Sequence, residues 1–149
     1  MAVRTAEARW EGSLKEGQGE VELVSSGLGS FEVSRPVRVE QPNGKTSPEE
    51  LIAAAHSASF SMSLALELAT AGLPAPTLVD TKAEVTFVAG GPGITGVELT
   101  VSAVVPEATE EQFQAAVAAA EKNCPVSRAL AGTEIRVEAS LASLSRIGF

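Results

Sequence analysis

One thiol and one imidazole carry most of the chemistry open to this chain. Cys124 is its single cysteine, set in Lys122-Asn123-Cys124-Pro125-Val126-Ser127-Arg128. Proline fits the first turn of a helix but cannot continue one, so Pro125 predicts a helix start with Cys124 at its cap. Free backbone N–H groups and the helix dipole there would stabilise a thiolate, the reactive form of the side chain. A buried, inert thiol acting as a small hydrophobe fits the same position. His56 lies three residues before Ser59 on one helical face. A serine hydrolase would need a nucleophile elbow and an acid, and Asp80 is the only aspartate. His56 therefore reads as a packed, hydrogen-bonded core histidine, and Ser59, taken alone, as one more small helix residue.

The elements that must position these residues follow from patterning. Alternation in residues 5–10, 19–24 and 30–34 predicts three strands, the last leading through Pro36 into strand-like Val37-Arg38-Val39-Glu40. Gln41-Pro42-Asn43-Gly44-Lys45 is a loop. Ser47-Pro48-Glu49-Glu50 then gives a serine cap, a first-turn proline and a glutamate completing a capping box. That helix should run to about Ala71 and stop at Gly72. Small residues on nearly every face of it predict a buried central helix. Two strands, 77–88 and 94–105, flank the hairpin signal Ala89-Gly90-Gly91-Pro92-Gly93. Thr109-Glu110-Glu111-Gln112 opens an amphipathic helix carrying Phe113, Ala116, Val117 and Ala120 on one face. A short helix from Cys124-Pro125 to Leu130 and a strand over 134–144 complete a βββ-α-ββ-αα-β order. This predicts an α+β fold with antiparallel sheets in a single domain, 1–149.

Composition narrows the function classes. Of 149 residues 44% are hydrophobic and 20% charged, with a net charge of −8. An acidic chain with no basic run disfavours nucleic acid and anionic membrane surfaces as partners. The Ala/Ser-rich stretch 51–71 carries Glu67, which argues against a membrane span. One cysteine makes no intrachain disulfide, and the first residues lack a signal-peptide core, so a cytoplasmic location is expected. One histidine, one cysteine and scattered glutamates make no metal cluster, and no phosphate-binding glycine loop occurs. No cofactor is expected.

Two separated motifs give the chain a family resemblance. Residues 46–62, Thr-Ser-Pro-Glu-Glu-Leu-Ile-Ala-Ala-Ala-His-Ser-Ala-Ser-Phe-Ser-Met, resemble the central helix of the OsmC/Ohr organic hydroperoxide reductases. The match is to the OsmC branch, with its pattern N-P-E-E-L-(I/L)-x-A-A-H-A-A-C-F-S-M. Asn123-Cys124-Pro125-Val126-Ser127 is similar to the family's second cysteine motif, and Trp10-Glu11-Gly12 and Arg38-Val39-Glu40 also fit. Where the family carries its peroxide-reacting cysteine, this chain has Ser59.

The resemblance implies an OsmC-like fold, an intertwined homodimer with two interface sites, and defence against oxidative and osmotic stress. It implies organic hydroperoxides as substrates and an external dithiol as reductant. A thiolate at position 59 would attack the O–O bond, and the sulfenic acid formed would condense with Cys124, the resolving cysteine. Arg38 would lower the thiol's pKa and orient the peroxide, and Glu49 would hold Arg38. Read without the resemblance, Arg38 is a solvated strand-end residue and Glu49 a helix N-terminal carboxylate. A serine hydroxyl neither ionises near neutral pH nor forms a sulfenic acid, so the implied peroxidase step should be weak or absent with Ser59. The alternative is a catalytically silent relative holding a hydrophobic small molecule in the dimer-interface pocket. One geometric point is independent of the resemblance. Glu49 and Ser59 stand ten residues apart, about 15 Å along one helix. Serving one pocket would require Arg38 to bridge them, or a second chain.

Overall fold

In the first unit of the chain, Met1–Leu51, three short strands pair antiparallel. They are β1 (Glu7–Glu11), β2 (Gln18–Glu22) and β3 (Ser30–Val33), in the order β1-β2-β3. The structure is a computed structural model and describes residues 1–143. Trp10 sits opposite Gly19 in the β1/β2 register. A Cβ at Gly19 would lie 2.8 Å from the Trp10 ring, so this position accepts only glycine. Trp10, Leu28 and Phe31 remain exposed in the single chain.

The strand expected through Val37-Arg38-Val39-Glu40 is instead a five-residue helix, α1 (Arg35–Val39). Pro36 decides the matter. Its fixed φ and missing N–H suit a first helical turn, where no intrahelical donor is needed, and would remove a ladder bond from a strand. Ser34 precedes it in extended conformation, and the Arg38 N–H reaches the Ser34 carbonyl at 3.3 Å.

The long helix α2 (Pro48–Thr70) begins where its cap predicts. The Ser47 hydroxyl accepts the Glu50 N–H at 3.1 Å. The expected capping box is only half formed, because the Glu50 carboxylate takes the Thr46 hydroxyl at 2.7 Å. At the other end Gly72, at φ +75°, ends the helix, while the Leu73 N–H returns to the Leu68 carbonyl at 3.0 Å.

The second unit, Ile52–Phe149, holds the sheet β4 (Leu78–Val88), β5 (Gly93–Val104) and β6 (Glu134–Leu141), with β5 central. The β4/β5 pair is the antiparallel hairpin its glycines predict, but β6 runs parallel to β5. This corrects the expectation of wholly antiparallel sheets. Between β5 and β6 the chain crosses over through α3 (Glu110–Asn123) and α4 (Pro125–Ala129), and such a crossover returns the chain to the starting end of the sheet. Residue 144, placed at the end of the last strand by the sequence, lies outside the described residues.

The core of this unit joins alternating β5 residues Val97, Leu99, Val101 and Ala103 to two helical faces. Helix α3 supplies Phe113, Ala116, Val117 and Ala120, as its periodicity predicts, behind a complete Thr109/Gln112 capping box. Helix α2 supplies Phe60, Leu64 and Leu68, all fully buried. Burying each such large side chain contributes about 1.5–3 kcal/mol. In the single chain α2 is therefore not buried all round. Its inner stripe continues to His56, while Met62 is 71% and Leu66 64% exposed. Among the described residues α2 is the one helix long and apolar enough to cross a membrane, and its inner stripe is committed to this core.

Candidate active site

Helix geometry places Cys124 deliberately. Helix α3 ends at Asn123, and the Cys124 N–H still bonds back to the Ala120 carbonyl at 2.8 Å. Ahead of Pro125, Cys124 leaves helical geometry at ψ 121°, as a residue before proline must. Its carbonyl then accepts the Arg128 N–H at 3.0 Å as α4 begins. The side chain is fully buried within the core cluster.

Across 65 residues of sequence, Ser59 on α2 comes to it. The Ser59 Oγ and Cys124 Sγ lie 3.4 Å apart, within hydrogen-bond range for sulfur. Burial alone pushes the thiol's pKa up. Hydrogen bonds from the Ser59 hydroxyl, the Ser127 N–H and hydroxyl, and the Val126 N–H outweigh that effect and hold the thiol below its ordinary value. The Ser59 hydroxyl is the neighbour that geometry places in hydrogen-bond range of the sulfur.

His56 is also fully buried, as the sequence predicts for a core histidine, and its partner is not the nearby Ser59. Its Nε2 meets the Ser127 Oγ at 2.7 Å. Burial lowers the imidazole pKa and keeps the ring neutral. Ser127 was quoted in the sequence motif but given no task. Its position three residues after Cys124, in the first turn of α4, was the available signal. From there its hydroxyl meets the His56 ring.

Arg38 and Glu49 form a separate pair inside the first unit. The Arg38 Nε and Nη2 both donate to the Glu49 Oε1, at 2.9 and 2.7 Å. Glu49 is nearly buried while Arg38 is about one-third exposed. The other carboxylate oxygen, Oε2, is buried without a partner. So the four site residues named from the sequence resolve into two pairs, one charged and one neutral, belonging to different units.

Residues 41–140 match the OsmC-like protein family. The chain belongs to that family. It is 40% identical over 129 residues to the peroxiredoxin OsmC of Escherichia coli K12, covering 85% of this chain and 89% of that protein. An organic hydroperoxide resistance protein from Elizabethkingia anophelis is 27% identical with a TM-score of 0.65, covering 95% of this chain and 98% of that one. An OsmC-like protein from Mycoplasma pneumoniae superposes with a TM-score of 0.73 at 12% identity, covering 95% and 99%, a likeness of fold. The OsmC-like match spans Glu49, His56, Ser59, Cys124 and Ser127, and begins beyond Arg38.

Proposed function

We propose that this protein reduces organic hydroperoxides to alcohols by thiol chemistry, with position 59 as the peroxide-reacting position and Cys124 as the resolving thiol. The observation that carries this reading is the 3.4 Å contact between Ser59 Oγ and the chain's single thiol. A cysteine at 59 would attack the peroxide as thiolate, breaking the O–O bond and taking the terminal OH as sulfenic acid, while the alkoxide leaves and takes a proton from water to become the alcohol. Cys124 would then attack that sulfur, releasing water and forming a disulfide, which an external dithiol reduces. With serine at 59 the first step has no thiolate, so this form is weak or inactive. Arg38, held by Glu49, takes the role the family resemblance gives it: lowering the reactive thiol's pKa and orienting the peroxide.

The same reading makes the two units one OsmC-like domain and the working form a cytoplasmic homodimer. Met62 and Leu66, four residues apart on the outer face of α2, are mostly exposed in the single chain. Trp10, Leu28 and Phe31 of the first unit are exposed as well. The Met62–Leu66 strip, one helical turn long and exposed, is what a second copy would cover.

The test is Ser59→Cys assayed with cumene hydroperoxide and a dithiol. Turnover should rise from background to many cycles per chain. A folded variant that consumes no peroxide contradicts the enzyme reading. A co-purifying hydrophobic ligand in that case, found by mass spectrometry, would favour a silent binding protein.

A further inference from the structure

We propose that His56 and Ser127 are positioning residues whose contact clasps α4 to α2 and so fixes how far position 59 stands from Cys124. Ser59 Oγ meets Cys124 Sγ at 3.4 Å, and His56 Nε2 meets Ser127 Oγ at 2.7 Å. His56 precedes Ser59 by three residues, and Ser127 follows Cys124 by three. The contacts are therefore two rungs of one antiparallel ladder, about 4.5 Å apart along α2. The Ser59 rung alone would leave the Cys124 segment free to swing about it. The His56 rung removes that freedom, and it is the shorter of the two.

The His56 rung can hold register because it is buried and directional. The imidazole is fully buried and Ser127 nearly so. Among the described residues the ring has no second bond, since Nδ1 is buried without a partner. Sliding α4 along α2 would break that one hydrogen bond in a place where water cannot replace it. The apolar core nearby, with Phe60, Leu64 and Phe113, constrains register less, because hydrophobic burial is non-directional. A stiff turn carries the hold from Ser127 to the thiol. The Cys124 N–H bonds back to the Ala120 carbonyl, and the Cys124 carbonyl accepts the Arg128 N–H. Another α2 contact lies one residue before the thiol, where Asn123 Nδ2 donates to Glu67 Oε1 at 2.8 Å, but it is exposed and serves as a control. In the proposed cycle the clasp would speed attack of Cys124 on a sulfenic acid at position 59. That consequence rests on the function proposed above, whereas the clasp itself is measured without peroxide.

Equilibrating Ser59→Cys with reduced and oxidised dithiothreitol reads the clasp. The 59–124 disulfide forms as the reagent's own disulfide opens to two thiols, so electrons and protons balance with no peroxide present. The equilibrium constant measures how well the folded chain holds one thiol at the other. Adding His56→Leu or Ser127→Ala should lower that constant about tenfold, and adding both should lower it no further, as partners in one contact require. His56→Gln should bring it back to within about threefold, because the amide offers both a donor and an acceptor near the place of Nε2. Asn123→Ala should change it less than about twofold. A merely structural role would lower stability in denaturant and leave this folded-state constant alone. An unchanged constant in folded His56→Leu and Ser127→Ala would overturn the proposal, as would losses that add or an equal loss in Asn123→Ala. Failure of Ser59→Cys to form the disulfide would overturn it too. A chain that forms the disulfide with the expected dependence on His56, yet consumes no hydroperoxide, would uphold the clasp and contradict the enzyme reading alone.

Discussion

The two polar clusters of this molecule solve the same problem with opposite chemistry. Arg38 and Glu49 meet as full charges where Arg38 keeps contact with water, which moderates the desolvation cost of the pair. Cys124 is fully buried, and its hydrogen-bonding neighbour is the neutral, part-buried hydroxyl of Ser59. Their surroundings differ in the same sense. The unit holding Cys124 has a continuous core of strand and helix side chains. The unit holding Arg38 leaves Trp10, Leu28 and Phe31 exposed. The contrast teaches that the thiol's environment is built by packing, and the ion pair by local chain geometry at a proline-started helix and a capped one.

Core truncation should separate the two regions most sharply. Phe113→Ala removes a fully buried ring and should cost about 3–5 kcal/mol in chemical denaturation. Phe31→Ala, at an exposed strand position, should cost less than about 1 kcal/mol in the isolated chain. Equal losses would abolish the contrast. Arg38→Ala comes next, because it strands the nearly buried Glu49 carboxylate. Discounted for the exposure of Arg38, the loss should be about 1–2 kcal/mol. Glu49→Gln should lose less than Arg38→Ala, since it leaves no buried charge. Thr109→Ala should cost about 1 kcal/mol by removing the α3 cap.

The smallest effect is also the most diagnostic of the neutral cluster. The folded-state pKa of His56 lies below the ordinary 6.5. As pH falls through that value the unfolded chain takes up a proton that the folded chain refuses, so stability drops. Above it the group contributes nothing. His56→Gln should flatten the slope of stability against pH just below 6.5, by comparison with the unmutated chain. A parallel slope in the variant would mean that His56 is not buried neutral.

Much of this was legible in the sequence because local chemistry and tertiary packing agree. The Ser47 and Thr109 caps, the Gly72 stop and the α3 face at 113, 116, 117 and 120 each have a one-helix explanation. The misses arise where short-range pattern and longer-range demand diverge. Val37-Arg38-Val39-Glu40 alternates like a strand, yet Pro36 one residue earlier starts a helix. The parallel seating of β6 depends on the whole α3–α4 crossover, which no strand pattern encodes. Small residues along α2 suggest burial on all sides, but only the stripe through His56, Phe60, Leu64 and Leu68 is buried in one chain. At the site, the thiol at its cap was visible, and the pairing of His56 with Ser127 was not, because 71 residues separate them.

The central claim is that positions 59 and 124 form the two ends of one redox pair. It is tested most directly by exposing Ser59→Cys to a single equivalent of cumene hydroperoxide and mapping its peptides by mass spectrometry. The account predicts a disulfide between the introduced thiol and Cys124, reversed by dithiol, since the present Oγ···Sγ separation of 3.4 Å needs only a small side-chain shift to reach bonding distance. A stable sulfenic or sulfinic acid at position 59, with Cys124 left as free thiol in a folded chain, would contradict it.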